Sequence, residues 1–482
     1  MSICKNLEPK QVFHFFEELC NIPHGSGNTK KISDYCMEFA RERGLFAHQD
    51  AYNNVIIKKD GTAGYEKSQP VILQGHMDMV CEKDADREID FAKDGLELYV
   101  EGDFLKARGT TLGGDDGIAI AYAFALLDSD DIPHPPLEVV ITVDEETGML
   151  GAQAMDLSMI KGRRLLNIDS DEEGIFLTSC AGGIRTDCRI PVSYERVTGP
   201  CYELKVYGLL GGHSGTEIHK ERANAIMTLG RVLASLAEEF DIKITGLWGG
   251  FMDNAIPREA TAMLMVDAKQ KDSFTDAVVR LESMLKKEYQ LSDPGLAFML
   301  TDQGIQEISA LDACSTTKLL LFLRSVPYGV QSMSVAIPGL VDTSLNPGIL
   351  TMDEKEFSLC FSIRSSVTSR KYEVTDRLRF LTEFLGGEFT VSGDYPAWEY
   401  KPDSELRELM RESYLAIYGE EPQIQAIHAG LECGILCGKL EGLDCISFGP
   451  NNFDIHTPQE RLSISSTERV WKLVLEFLRR AK

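Results

Sequence analysis

Hydrophobic positions recur along this 482-residue chain with two different periods. Residues 9–19 and 29–43 space their apolar side chains three and four apart, which predicts two amphipathic helices. The run PVILQG at 70–75 is almost wholly apolar and ends in glycine, as suits a strand buried on both faces of a parallel sheet. LEVVITV at 137–143 and residues 164–168 repeat that signature. Residues 54–58 read as a shorter strand and 118–127 as an alanine-rich helix. Buried strands alternating with helices predict an α/β domain whose mixed, mainly parallel sheet is covered by helices.

The pattern changes between about 189 and 391. There the alternating stretches 202–207 and 260–266 are followed by helical stretches at 223–239 and 274–289. This predicts a separate α+β domain built on an antiparallel sheet. After Tyr395-Pro396-Ala397-Trp398 the first pattern returns, with a helix at 404–418 and a strand at 443–448. The expected organisation is a first domain at 1–187 and 397–482, with a second domain inserted at 188–396.

The length is too great for one ordinary core, in keeping with two domains. Charge narrows the partners. Lys plus Arg number 49 against 75 Asp plus Glu, a net charge of −26. Such a chain repels phosphate backbones and anionic lipid, so neither nucleic acid nor a membrane is an expected partner. No apolar run reaches the about 18 residues of a membrane span, and the N-terminus lacks the apolar core of an export signal. The twelve cysteines are scattered without paired CxxC clusters. They read as reduced thiols of a cytoplasmic protein.

Acids and histidines gather at the ends of the predicted strands. His76 and Asp78 in GHMD follow the first buried strand, and residues two apart in extended chain share a side. A carboxylate steadying an imidazole is usual for a metal-binding histidine, although HxD alone also suits a polar strand end. Asp115 and Asp116 in GGDDG open the alanine-rich helix, where acids also serve as ordinary caps. Asp144-Glu145-Glu146 follows LEVVITV, and adjacent acids repel unless cations neutralise them. Two neighbouring glutamates permit one to bind metal and the other to act as general base. Asp169 ends the next strand, at the edge where open α/β sheets place their sites. His456 lies in a loop between Pro450 and Pro458. His76, Asp115, Glu146, Asp169 and His456 form a mixed nitrogen and oxygen set that suits zinc better than calcium or magnesium.

The motifs GHMDMV, LGGDDG, TVDEETGMLGA, NIDSDEEG, GGHSG, NAIPREA, HAGLECG and IHTPQERL, in this order, resemble the two-zinc aminoacylase and carboxypeptidase superfamily (clan MH). Within it the chain is most similar to the aminoacyl-histidine dipeptidase branch. The resemblance spans His76 to Leu462 and implies two zinc ions per chain, for which manganese or cobalt may substitute. It implies that Asp115 bridges them, that His76 and Asp169 complete one site, and that Glu146 and His456 complete the other. Asp78 would orient His76, and Glu145 would be the general base for a zinc-activated water. A cis Asp115–Asp116 bond is also implied.

The inserted domain would serve as a lid and as the contact of a homodimer, with His213 reaching a carbonyl in the partner's site. Asn254, Arg364, Gly430 and Glu432 match substrate-contacting positions. Asp116 departs from the pattern, because close relatives often carry Asn there. The expected activity is hydrolysis of dipeptides, of Xaa-His type or with broad specificity. A related N-acyl-amino-acid deacylase or tripeptidase is the alternative, and a non-catalytic metal-binding protein of the same fold is a third reading.

Overall fold

A computed structural model describes residues 2–482. The chain divides into two compact units. One comprises Met1–Cys180, Tyr400–Ala426 and Leu431–Lys482, and the other Ala181–Glu399 and Ile427–Gly430.

The first unit is built on an eight-stranded sheet in the order Phe46–Gln49, Val55–Lys59, Leu137–Thr142, Val71–His76, Arg164–Asn167, Asp444–Ser447, Ile175–Cys180, Gln423–Ile427. Its four central strands, from Leu137–Thr142 to Asp444–Ser447, are parallel. Phe46–Gln49 with Val55–Lys59, Val55–Lys59 with Leu137–Thr142, and Asp444–Ser447 with Ile175–Cys180 pair antiparallel. The hairpin between Gln49 and Val55 is too short for a crossover helix, so those strands must run antiparallel. The two central strands that carry the strongest apolar runs are buried at every position.

Helix Lys10–Cys20 packs Val12, Phe13, Phe16 and Leu19 into the core. Helix Gly114–Asp128 is buried almost throughout, and Phe124 stacks on Phe39 at 3.9 Å between ring centroids. Its expected start at 118 is close to where regular geometry begins, because Asp115 and Asp116 are non-helical. Gly75 is adjacent to His76, and a Cβ built there would stand 2.5 Å from the Cβ of Ala119 and 2.4 Å from Asp116 Oδ2.

The second unit holds a nine-stranded sheet whose described pairings are all antiparallel. Helices Ala225–Glu239, Lys271–Glu288, Ala313–Ser325 and Thr368–Phe384 contribute to its core. Asn224 caps the first of them by accepting from the backbone of Ile226 and Met227. The unit begins before the expected residue 188 and ends after 396. Strand Gly182–Pro191 pairs along its whole length with Glu356–Ser365, which carries residues 182–187 into the second sheet. Residues 427–430 also join this unit, because Ile427 and Ala429 accept from the amide of Ala181.

Candidate metal centre

The parallel strands end together, and their carboxyl ends deliver the site. His76 is the last residue of Val71–His76, and its ring is only 1% exposed. Nδ1 lies 2.9 Å from the main-chain carbonyl of Asp78 and 3.5 Å from that residue's carboxylate. The carbonyl is thus the nearer orienting partner. The Asp78 carboxylate is in turn fixed by the Glu145 amide at 3.0 Å and the Ser26 hydroxyl at 2.8 Å.

With Nδ1 turned to Asp78, Nε2 of His76 faces Asp115 Oδ1 at 3.0 Å and Asp169 Oδ1 at 3.9 Å. The second oxygen of Asp115 faces His456 Nε2 at 3.1 Å, and the same nitrogen stands 2.9 Å from Glu146 Oε1. Asp115 therefore presents one oxygen to each of two histidine-and-carboxylate sets. Ligand atoms of Asp115, Glu146 and His456 lie within 4.8 Å of one another, as do those of His76, Glu145 and Glu146. Those of His76, Asp116 and Asp169 form a third such group.

Asp116 is turned under the His76 strand, where Oδ2 accepts the His76 amide at 3.2 Å. The Asp115–Asp116 peptide bond is cis. His456 and Asp144 both hold left-handed backbone, at φ of 61° and 53°. Such conformations are uncommon outside glycine and cluster at functional sites.

Electrostatics match a cation-binding role. Burial pushes Asp169 well above the usual carboxylate range, and the nearby Asp115, Glu145 and Glu432 add to it. Burial also raises Asp115, but hydrogen bonds from His456 and His76 outweigh it and hold this carboxyl low. Hydrogen bonds to Asp115 and Glu146 push His456 up to about 10. Burial opposes charge on His76, yet Asp115 and Asp78 more than offset that cost. Glu145 is pushed up to about 8 by burial, reinforced by Glu432, Glu146 and Asp115. The protein's own groups thus share protons where cations would otherwise balance the charge, and this donor set fits two divalent ions.

Two carboxylates absent from the expected ligand set support it from behind. Glu460 is 2% exposed and accepts the amides of Leu112 at 2.6 Å, Gly113 at 3.1 Å and Gly114 at 2.8 Å. It ties the His456 loop to the turn that presents Asp115. Gly113 takes φ 69° in that turn, a conformation glycine adopts without steric cost. The acid of IHTPQER was visible in the sequence, but its partners are mostly backbone amides, joined by the Asn452 side chain at 3.3 Å, and backbone groups leave no signature. Glu432 is the second. The expectation of substrate contact at Glu432 requires correction, because it is fully buried and accepts from Gln74 Nε2 at 2.5 Å and Thr142 Oγ1 at 2.6 Å. It lies beneath the site rather than on its rim.

Within the second unit, His213, Arg364 and His428 converge on Gly215. A Cβ built there would meet Arg364 Nε and His213 Cε1 at 3.0 Å each and the His428 carbonyl at 2.5 Å. Nδ1 of His213 accepts the amides of Gly215 and Thr216 at 3.3 and 3.1 Å, which leaves the proton on Nε2. Burial and the Arg364 charge hold its pKa below the ordinary value. The backbone of Asn254 accepts the neighbouring Ser214 amide at 2.8 Å, and Gly430 follows His428. His428 was missed by the sequence reading although it heads HAGLECG. It is 2.7 Å from Ser344 Oγ, and burial with the Arg364 charge pushes it down to about 3.

The chain belongs to peptidase family M20/M25/M40, which residues 72–480 match. Over 481 residues it is 38% identical to the cytosol non-specific dipeptidase of Escherichia coli (strain K12), covering 99% of each chain. Its fold matches the crystal structure of aminoacylhistidine dipeptidase from Vibrio alginolyticus with a TM-score of 0.93, at 35% identity over 99% of this chain and 98% of that one. Aminopeptidase PepT from Bacillus cereus ATCC 10987 shares the fold at a TM-score of 0.57 and 14% identity, over 98% of this chain and 99% of that one.

Two outcomes test the centre. His456 is held up to about 10 and His76 well above its ordinary value, so in chelated protein at pH 7 both imidazoles carry protons that metal must displace. Metal loading is therefore expected to release protons, read with an indicator dye in weak buffer; uptake without release contradicts the assignment. Glu460→Gln turns an amide donor towards backbone N–H groups. It is expected to keep the fold by circular dichroism yet weaken metal binding by about 10–100-fold, the scale of losing an outer-shell partner, in chelator competition.

Proposed function

We infer that this chain is a two-metal peptidase that hydrolyses dipeptides. The observation that carries the reading is Asp115, whose two oxygens face different histidines while Glu145 stands beside one of them. His76, Asp115 and Asp169 would hold one ion, and Asp115, Glu146 and His456 the other. Zinc suits this nitrogen and oxygen set, with manganese or cobalt as substitutes. Bound there, two divalent ions supply Lewis acidity to the peptide carbonyl and acidify water towards neutral pH. Full-length similarity to a dipeptidase in E. coli and to an aminoacylhistidine dipeptidase supports the substrate class.

Glu145 takes a proton from the attacking water and returns it to the leaving amine. In the metal-free protein burial and neighbouring carboxylates push its carboxyl up, and two bound cations would draw it back towards the ionised form that a base needs. Asp78 holds the His76 ring and the Glu145 backbone together, so the base and a ligand share one anchor. In the second unit, His213 offers an Nε2–H donor without a charge, suited to a carbonyl oxygen. Arg364 supplies the cation for a substrate carboxylate, and Asn254 and Gly430 are further contacts for the substrate.

We further propose a homodimer through the inserted unit, in which His213 serves the partner's site. Exposed Phe251 (87%) and Met252 (57%) precede Asn254 in sequence and suit burial by a second copy. A cytoplasmic setting accords with the relative's name. No described helix is long and apolar enough to cross a membrane.

Glu145→Gln is expected to retain metal and lose about 10²–10⁴-fold in kcat. The wild type should cleave dipeptides and spare their N-acetylated forms. Activity preserved within a few-fold in the variant overturns the base, and preference for acetylated substrates points to a deacylase. Separate His213→Ala and Glu145→Gln dimers are expected to be nearly inactive. After subunit exchange, mixed dimers should recover one working site of two, and an exchanged but inactive mixture overturns the trans arrangement.

A further inference from the structure

Away from the metal ligands, three thiols of the first unit meet where helix Glu432–Lys439 lies on strand Asp444–Ser447. Cys433 and Cys437 are four residues apart and so share one face of that helix. Cys445 is the second residue of the strand. Its sulfur is 3.3 Å from that of Cys437, and its thiol also interacts with Cys433. Cys433 and Cys445 are buried, whereas Cys437 is half-buried. Neither the proton transfers nor the ligand set uses any of the three.

We propose that Cys437 and Cys445 are an oxidisable dithiol, a modification site for hydroperoxides. A disulfide needs about 2.05 Å between sulfurs, so closure asks for a shift of roughly 1 Å. Cys437 is the first to react, because it alone of the three is open to solvent. Its thiolate attacks one peroxide oxygen, the O–O bond breaks, and the departing hydroxide takes up the Cys437 proton as water. The sulfenic acid left on Cys437 is then attacked by the Cys445 sulfur. The S–O bond breaks, and the hydroxyl leaves as a second water with the Cys445 proton. Two thiols and one peroxide thus give one disulfide and two waters. The burial that pushes the Cys445 thiol up makes it a poor first nucleophile, but it sits in contact with the sulfur it must attack. The bond would join the helix that begins at Glu432 to the strand paired with Arg164–Asn167, just before Asp169.

The test is peptide mapping of the metal-loaded, full-length protein after hydrogen peroxide treatment and alkylation. Trypsin gives 412–439, with Cys433 and Cys437, and 440–461, with Cys445. The expected product is these two peptides joined, two hydrogens lighter than their sum, with fragment ions placing the bond at Cys437 and dithiothreitol separating them. Cys433→Ser should keep the joined peptide. Cys437→Ser, a change at a half-buried position, should lose it. Exposed Cys81 and Cys314 report that peroxide reached the protein. If those two are oxidised while 412–439 and 440–461 stay separate, or if the bond persists in Cys437→Ser through Cys433, the proposal is overturned.

Discussion

The crowding of like charge at the ends of the parallel strands is the constraint on which the rest of this molecule depends. Asp78, Asp115, Glu145, Glu146 and Asp169 approach one another around two imidazoles, with Glu432 buried beneath them. Left in water, such acids would repel and separate. Here the fold holds them, because Asp78, Glu145 and Glu146 follow strands buried at every position, Asp169 follows the neighbouring strand, and Asp115 stands at the start of a buried helix. The cost of the crowd is met by hydrogen bonds, raised carboxyl pKa values and charged histidines, and two cations would relieve it further.

Around that crowd the supports are mostly main chain. Asp78 steadies His76 through its carbonyl and receives the Glu145 amide, and Glu460 receives successive amides at the Asp115 turn. A site built in this way depends on the path of the backbone more than on the identity of its neighbours. The second unit repeats the device, with two amides fixing the tautomer of His213.

The distinction explains what was legible in the sequence. Continuous apolar runs such as PVILQG and LEVVITV announced the buried strands, and acids placed directly after them announced the site. The resemblance then supplied roles that spacing alone left open at His76, Asp115 and His456. Glu460 was unreadable as an anchor because most of its partners are main-chain amides that every residue but proline possesses. Glu432 was misplaced because a motif records neighbours in sequence, whereas its burial comes from Gln74 and Thr142, hundreds of positions away. The limits of the inserted unit were blurred for a related reason. Residues 182–187 carry no boundary signal of their own until their pairing with Glu356–Ser365 is known.

Gly75 and Ala119 touch where the central strand meets the helix that follows Asp115, with no room for even one more methyl group between them. That contact acts as a gauge block. The thickness of the layer between strand and helix sets how far the turn carrying Asp115 stands from the ring of His76. The dimension that matters to the chemistry is thus machined by two of the smallest side chains in the protein, neither of which bears a functional group. Selection on the reacting residues must therefore also act, one atom at a time, on positions that a search for chemistry would pass over.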